Sequence, residues 1–538
     1  MSSTKRGRKA FRTGNPTKGD PTAVPSATSR RRKTKKTAPA NGRVASYIKH
    51  VENGETLTYI ENLIAEAAVK SGRPRQFTVK MLLVGLMLIA DEGVLHLSRL
   101  CKALNNLDAG TKQKLGITGV ITRRQVEHLY GLVAKLLERN ENADEVSRFD
   151  TFDKLCDATL RDSHRGATKT GSLAVDGTSI ESWGTRRVDK RTGEIKITDE
   201  DAKWKKRSKD SPWKKPIFGF DLTVAVQVPD STLDDAPLFA RSMRLRPATH
   251  KPVEAGLETV ISAHQQMQDE TIAPHDVLAD REYTATLDGT GFLNPVRALG
   301  FDPVFDLTLN QLGVANTVKG ALIIDGQPHS PATPLDLRHL IPPPVNGSVE
   351  EKIAYQNKIK VRSKYALVRH GKALPNGAQD YVCPAHAGKI ACPLANIVNP
   401  LVVQVQNHPK KAARGSVCAK KYTRFHANET PLNQKDLYGS FEWSMSMTRR
   451  NLVEGFFGNL KNEATENLKR GSIRVRGLMK TGIMVLFSVA ATNMRLIRGK
   501  NANPRPQRRR GRKPIVGIKA HNPIMKARSN APPEVETT

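Results

Sequence analysis

Three carboxylates in this sequence are placed where a folded core would hold them rigidly. Asp176 ends the apolar run of SLAVD, Asp280 ends that of HDVLAD, and Glu454 lies in the helical stretch MTRRNLVEGFFGNLKNE. Hard divalent cations such as Mg²⁺ or Mn²⁺ take oxygen ligands, and two of them roughly 3.5–4 Å apart can activate the attacking oxygen and stabilise the leaving one in phosphoryl transfer. If the acids lie together, they predict a two-metal site with Asp176, Asp280 and Glu454 as catalytic residues and metal ligands.

The elements that would hold two of these acids follow an α/β pattern. Residues 173–175 predict a short buried strand that ends at Asp176, and a later strand ends at Asp280. Between them, periodicity predicts strands over 216–229 and 238–249 and a helix over 252–267. Three strands, a crossover helix and a fourth strand describe a mixed sheet. Both acids then lie at one edge of that sheet, where ligands usually bind in open α/β sheets.

The helix that contains Glu454 has two distinct faces. At about 100° per residue, Arg450, Lys461 and Met447 fall beside Glu454, with Gly455 and Gly458 close by, and the apolar residues fall on the opposite side. One carboxylate among cations and small residues favours close approach of an anion. We expect Arg450 and Lys461 to bind the phosphate backbone by charge and hydrogen bonds.

Each of these signals has an ordinary structural explanation when it is taken alone. An Asp at a strand end more often caps a loop than binds a metal. Glu454 with Arg450 four residues earlier is most simply a surface ion pair. The combination of the three acids with a strongly basic chain is what favours a functional site.

The charge of the chain indicates a polyanionic partner. The 538 residues have a net charge of +34, far beyond what solubility requires. Residues 1–42 contain 12 Lys/Arg and one Asp, and 499–538 contain ten Lys/Arg and two Glu. These tails lack periodicity and are predicted to be disordered, with phosphate backbones as the expected ligand or solubility as the simpler explanation. The folded middle retains a net +15.

The region from about residue 43 to 150 has helical apolar spacing. Thr122 followed by Gln125 is a capping-box pattern that predicts a helix starting near Arg123. A helix that opens with Arg123 and Arg124 after another short helix is typical of a helix-turn-helix DNA reader. An all-α packing domain explains the same pattern, and both interpretations stay open.

The acidic motifs resemble a known family, the DDE transposases of bacterial insertion sequences. Arg450, Glu454 and Lys461 match the spacing of its Tyr-x2-Arg-x3-Glu-x6-Lys signature, with Met447 at the Tyr position. ADREY is similar to the family's Asp-Arg-Gly-Tyr motif, VDGT to its first acidic motif, and AATNMRLI to its closing helix. The resemblance covers about residues 172–310 and 440–498.

This resemblance implies an RNase H-like catalytic domain and a metal-dependent transposase that cuts DNA at element ends and joins the 3′-OH to target DNA. Asp176, Asp280 and Glu454 would be the DDE triad, and two Mg²⁺ or Mn²⁺ ions the cofactors. Expected partners are double-stranded DNA and a second copy of the chain. The predicted DNA-binding residues are Arg450, Lys461, Tyr283, Arg281, Arg123 and Arg124. A catalytically inactive DNA-binding regulator and an RNase H-like nuclease without strand transfer are the alternatives.

The 174 positions between Asp280 and Glu454 predict an insertion that contains most of the cysteines. Cys383, His386, Cys392 and Cys418 could bind Zn²⁺, although paired CxxC motifs are missing. Reduced structural cysteines are the alternative. Trp183, Trp204 and Trp213 lie among many Lys and Arg, which is typical either of stacking on unpaired bases or of a charged loop packed on its domain.

The predicted organisation combines these segments. It runs from a basic tail (1–42) through a helical, candidate DNA-binding domain (43–150), the first part of the catalytic domain (170–310), an insertion (311–440) and the last part of the catalytic domain (441–498) to a basic tail (499–538). Five cysteines in so long a chain exclude a disulfide scaffold. No secretory segment follows the N-terminus, and the longest apolar runs are too short to span a bilayer. We expect a cytoplasmic, nucleoid-associated protein without a membrane partner.

Overall fold

The computed structural model describes most of the chain between residues 41 and 502. The described ranges are 41–67, 75–138, 147–188, 191–206, 216–284, 289–344, 346–371, 373–374, 377–406 and 410–502. The predicted tails lie outside these ranges apart from residues 41–42 and 499–502, which are helical, and Trp213 also lies outside them. The described residues belong to one compact unit.

The described N-terminal part is helical, as its apolar spacing predicts. Its helices are α1 (Asn41–Glu52), α2 (Glu55–Ala67), α3 (Val79–Glu92), α4 (Leu97–Asn105), α5 (Ala109–Leu115), α6 (Arg123–Leu137) and α7 (Asp150–Ser163). The predicted capping box is confirmed, because Thr122 and Gln125 bond each other's backbone N–H groups at the start of α6. Tyr130 of α6 also donates a hydrogen bond to the Lys480 carbonyl, so this helix packs on the C-terminal part of the chain. Within the described ranges no single helix is long and apolar enough to cross a membrane. Helices α3 and α4 are long and apolar enough only when they are taken together, and the chain bends by 105° between them.

A mixed six-stranded sheet follows, as the α/β pattern predicts. The elements of this part are β1 (Ser172–Glu181), β2 (Arg186–Val188), β3 (Ile195–Ile197), β4 (Lys203–Lys205), β5 (Ile217–Val228), β6 (Phe239–Pro247), α8 (Pro252–Asp269), β7 (Asp276–Ala279), α9 (Leu293–Ala298) and β8 (Asp302–Phe305). β5 pairs antiparallel with β1, β6 and β4, whereas β7 pairs parallel with both β1 and β8. β2 and β3 form a separate hairpin.

The segment between the sheet and the Glu454 helix folds mainly as small β-sheets. Its elements are β9 (Val314–Val318), β10 (Ala321–Ile324), β11 (Gln327–His329), α10 (Val349–Arg362), β12 (Val368–His370), β13 (Gln379–Val382), β14 (Ile390–Ala391), β15 (Val403–Gln404) and β16 (Tyr422–Phe425). The chain then forms α11 (Phe441–Thr448), α12 (Asn451–Lys461) and α13 (Leu478–Ala502). The insertion has apolar clusters of its own, separate from the two that cover the six-stranded sheet.

The two faces of the six-stranded sheet are covered by different helices. Alternate residues of a strand point to opposite faces. Ala174 and Ile180 belong to the cluster formed with α12, α13 and the N-terminal helices. Leu173 and Val175 belong to the cluster formed with α8 and α9. One core therefore joins the N-terminal helices to the sheet and α13.

Two local predictions about this part of the chain were wrong. β1 does not end at Asp176 but continues to Glu181, because β5 pairs with it along its whole length. The Glu454 stretch is not one helix, since α11 ends at Thr448 and α12 begins at Asn451. Met447 consequently lies on a different helix from Glu454.

Candidate active site

The backbone brings Asp176 and Asp280 to the same level of the sheet. Ala174 pairs with Leu278 in the parallel ladder between β1 and β7, and each acid is two residues further along its strand direction. A shift of two residues keeps the same face. Ala174 and Leu278 both belong to the cluster on the α12 side, so both acids lie on the face that α12 covers.

One guanidinium contacts all three predicted catalytic acids. Arg450 donates from Nη2 to Asp176 Oδ2 at 3.0 Å and lies 3.5 Å from Asp280 Oδ2 through the same nitrogen. Its Nη1 donates to Glu454 Oε1 at 3.0 Å. The three acids, which are separated by up to 278 positions in sequence, therefore meet around a single side chain.

The three acids differ in their exposure to solvent. The exposed fraction of the side chain is 18% for Asp176, 35% for Asp280 and 43% for Glu454. Burial raises the pKa of Asp176 to about 6, against the opposing effects of Arg450 and the Gly177 N–H, and the charges of Asp280 and Glu454 raise it further. A carboxyl that is costly to ionise in the metal-free site gains from any added positive charge.

Asp280 also determines the backbone that follows it. Its Oδ1 accepts a hydrogen bond from the Glu282 N–H at 2.7 Å, at the start of a 3₁₀ turn over Arg281–Thr284. Arg281 is exposed on this turn. Tyr283 is 4% exposed, with its ring against Phe292 and against Gly256 of α8. The predicted DNA contact of Tyr283 is therefore not supported, because the ring is a core residue in this structure.

Lys461 lies near the triad but contacts the protein. Its Nζ donates to Thr178 Oγ1 at 2.5 Å and to the Ser179 carbonyl at 3.1 Å. These bonds tie the last turn of α12 to the part of β1 beyond Asp176. The exposed face of α12 instead presents Glu454, Gly455 and Gly458, and a Cβ at either glycine would meet no atom within 4 Å. A ligand can thus approach this face of the backbone closely.

Sequence reasoning missed the neighbouring arginine. Arg449 is 4% exposed and donates to Asp276 and to the carbonyls of Pro229 and Asp230. Asp276, at the start of β7, is 1% exposed. This buried pair draws the chain towards the sheet and separates α11 from α12, which places Arg450 at the start of α12. The only sequence signal was a doublet of arginines within an apolar stretch.

Three of the four predicted zinc ligands, Cys383, Cys392 and Cys418, lie close enough to interact electrostatically. Cys383 and Cys392 pack with one apolar cluster of the insertion, Cys418 packs with another, and His386 is exposed. Burial raises the pKa of Cys383, and it raises that of Cys418 to about 11; the charge of Cys392 raises both further. Zinc binding by these residues stays a prediction. In the described part of the chain, no three His, Cys, Asp or Glu side chains are grouped so as to hold an ion as they stand.

The two arginines at the start of α6 belong to the N-terminal helical part and not to the strands and helix that carry the triad. Arg123 and Arg124 are both exposed. Arg123 Nε donates to Glu127 Oε1 at 2.7 Å, in an ion pair one turn along the helix. The turn between α5 and α6 spans residues 116–122, longer than the three or four residues of a helix-turn-helix. Their role in DNA binding stays a prediction.

No family model matches this chain, and no curated protein matches it. Among solved structures, it is similar to a piggyBac transposase synaptic complex with hairpin DNA, determined by cryo-EM, at 10% identity and a TM-score of 0.35, over 92% of this chain and 83% of that chain. A likeness at this TM-score does not establish a shared fold or activity.

Proposed function

We propose that this protein is a DDE-type transposase that cleaves DNA phosphodiester bonds and transfers the resulting strand. The observation that supports this most directly is the contact of Asp176, Asp280 and Glu454 with one guanidinium. Acids from two strands and a helix do not meet by local sequence effects, and bringing three carboxylates together costs free energy unless cations compensate for their charge.

The order of the strands supports an RNase H-like assignment for the catalytic domain. Three antiparallel strands, β6, β5 and β1, are followed across the sheet by β7 and β8, both parallel to β1. Helix α8 connects β6 to β7. This order places the two aspartates at the ends of or within adjacent, parallel strands.

The donor set fits hard divalent cations in its chemistry, because carboxylate oxygens are the ligands that Mg²⁺ and Mn²⁺ prefer. Asp176, Asp280 and Glu454 would hold the ions, which would activate the attacking oxygen and stabilise the leaving one. As the side chains are arranged here, the guanidinium of Arg450 lies where the carboxylates meet. Loading therefore requires Arg450 to leave at least some of these contacts.

Neighbouring parts of the chain hold the two aspartates in position. β1 pairs with neighbours on both sides and fixes Asp176, while Asp280 is fixed by the turn that it caps. Once released from the acids, Arg450 is within reach of a phosphate beside them, where a guanidinium binds oxygen in bidentate fashion. The net charge of +34 supports DNA as the polyanion.

The test is cleavage of a supercoiled plasmid that contains candidate terminal repeats from the DNA flanking the gene, with Mg²⁺ present. We expect strand breaks and joined products from the wild-type protein. Glu454→Gln should abolish both and leave DNA affinity largely intact, because the carboxylate serves catalysis rather than binding. Glu442→Gln, which changes an exposed carboxylate on α11, is the matched control and should cleave normally. Loss of binding and cleavage together in Glu454→Gln would indicate a structural role.

A second candidate is a catalytically inactive DNA-binding regulator derived from such an enzyme. The position of Arg450 among the acids favours it, because no described group of acids can hold an ion as it stands. Under this alternative, Asp176→Asn and the wild type bind DNA equally and neither cuts it. Breaks without joined products would instead indicate a nuclease that lacks strand transfer.

A further inference from the structure

Two partly exposed tryptophans flank the start of β5, and Trp204 shares the sheet face that carries the acids. Trp204 of β4 pairs with Phe218 of β5, and its ring lies 5.2 Å from the Phe218 ring. Phe218 packs against the same cluster as Val224, the residue that pairs with Asp176. Trp204 therefore shares a face with Asp176, roughly 20 Å along the sheet at about 3.3 Å per residue.

The second tryptophan lies beside the first. Trp183 follows Ser182, whose N–H donates to the Phe218 carbonyl at 2.9 Å, so Trp183 and Trp204 flank the start of β5 from opposite sides. Adjacent strands are about 4.8 Å apart, which puts the two backbones roughly 10 Å from each other. The exposed fraction is 39% for Trp183 and 46% for Trp204.

A basic segment completes this surface. Residues 469–480, KRGSIRVRGLMK, contain five Lys/Arg and no acid, and Lys469, Arg470, Arg474 and Arg476 are exposed. The Arg474 guanidinium lies 5.4 Å from the centre of the Trp183 ring. We refer to Trp183, Trp204, Arg470, Arg474 and Arg476 as the aromatic–basic surface.

Hydrogen bonds hold the two loops of this surface together. Asp199 accepts from the Gly477 N–H at 3.2 Å, and Asp201 accepts from the Leu478 N–H at 2.9 Å. Asp201 also pairs with Arg148 at 2.9 Å. The tryptophan loop is therefore fixed against the basic segment at the start of α13, and the exposed indoles are pre-organised rather than loosely displayed.

We propose that the aromatic–basic surface binds an unpaired stretch of a DNA strand roughly 20 Å along the sheet from Asp176. Exposed indoles stack on bases of any sequence, and this requires that the bases be unpaired, while neighbouring cations bind the phosphates. A paired duplex offers the cations a ligand but hides its base faces. The inference rests on the proposed function only in taking DNA as the partner.

The test measures the affinity of the full-length protein for labelled oligothymidine and for a labelled duplex of equal length by fluorescence anisotropy. Trp183→Ala and Trp204→Ala should each weaken oligothymidine binding by about tenfold, the equivalent of one lost base–aromatic stack, and change duplex binding little. Trp204→Phe should restore most of the affinity, because a phenyl ring still stacks. Arg474→Gln should weaken binding to both ligands and reduce the salt dependence of each.

Tyr422→Ala is the matched control. Tyr422 is also an exposed aromatic, at 45%, and has a lysine over its ring, but it lies on β16 in the insertion. It should bind both oligonucleotides as the wild type does. Thermal unfolding of each variant establishes that the fold is retained, and unchanged duplex affinity in Trp204→Ala excludes a merely structural effect of that substitution.

The outcomes separate this inference from the proposed function. Unchanged oligothymidine affinity in both folded alanine variants, or equal losses for oligothymidine and duplex, would overturn the inference even if the plasmid is cleaved. A tryptophan-dependent preference for oligothymidine would support it even if no cleavage is seen, and the failure would then belong to the proposed activity alone.

Discussion

Arg449 and Arg450 are adjacent in sequence and both contact acids, yet their surroundings differ. The Arg449 side chain is 4% exposed and pairs with Asp276, which is 1% exposed. The Arg450 side chain is 15% exposed, and its acids range from 18% to 43%. A buried pair is difficult to exchange because either partner alone would be an unpaired charge in the core. The more open contacts of Arg450 can be replaced by a ligand, so burial distinguishes a structural arginine from one at an adaptable site.

The largest effect that we expect comes from Arg449→Met. It leaves the Asp276 carboxylate buried and should lower the free energy of unfolding by about 3 kcal/mol, the lower end for a broken buried pair. The lower end applies because Lys435 and His275 also lie within 3.3 Å of Asp276. Urea denaturation measures the change. Equal decreases in the free energy of unfolding for Arg449→Met and Arg450→Met would contradict the distinction between a structural and an adaptable arginine. Recovery of that free energy in the double variant Arg449→Met/Asp276→Leu would support it.

The contrast also shows how much of this site could be predicted from sequence. Apolar periodicity is local, so it located the strand that precedes Asp280 and the buried side of α12, with Val453, Phe456, Phe457 and Leu460. The break before α12 depends on Arg449 reaching Asp276, 173 positions away. No local pattern encodes that contact.

Other departures from the sequence predictions have similar causes. β1 continues past Asp176 because Thr178 is held by Lys461 and Ser179 donates to Asp221 on β5. Tyr283 is buried because Gly256 of α8 leaves room for its ring, and a Cβ there would lie 2.2 Å from it. In both cases polar or small residues, whose periodicity is uninformative, decide the outcome through partners distant in sequence.

The next effect concerns pH. Burial raises the pKa of Asp176 from 3.8 to about 6, so the folded protein binds this proton more tightly than the unfolded chain does. Ionisation of Asp176 therefore costs stability, and the cost is absent below the unfolded pKa and grows as pH rises to about 6. Asp176→Asn removes the cost. Without divalent ions, the free energy of unfolding of Asp176→Asn, relative to that of the wild type, should rise by at most ~3 kcal/mol between about pH 4 and pH 7.

Thermal or urea unfolding in the presence of a chelator, at both pH values, measures this difference. Asp176→Asn changes only the more open site around Arg450. The buried Arg449–Asp276 pair stays intact in this variant. A difference between wild type and Asp176→Asn that stays constant with pH would mean that Asp176 ionises normally and that its surroundings are as open as those of a surface acid.

A smaller effect is expected when Arg450 no longer competes with metal. Arg450→Gln removes the positive charge that contacts all three acids, so binding of Mn²⁺ no longer has to displace it. We expect about tenfold tighter Mn²⁺ binding, or roughly 1.4 kcal/mol, by isothermal titration calorimetry. Arg123→Gln removes an arginine from an exposed pair and should leave Mn²⁺ affinity unchanged. Unaltered affinity in Arg450→Gln would mean that the guanidinium does not oppose the metal.

The smallest effect is expected at the most exposed of these arginine–acid pairs. The Arg123 side chain is 69% exposed and Glu127 is 44% exposed, so water screens their attraction, and Arg123→Ala should change the free energy of unfolding by less than about 0.5 kcal/mol. If Arg123 contacts a phosphate, the same variant should weaken DNA binding uniformly across sequences and lower the salt slope by about 1. Since the expected change in stability is so small, any loss of affinity measured by anisotropy reports a DNA contact rather than unfolding. Normal affinity and an unchanged slope would assign α6 to packing alone, and a loss of stability comparable to that of Arg449→Met would contradict the rule that burial sets the energetic role of each arginine.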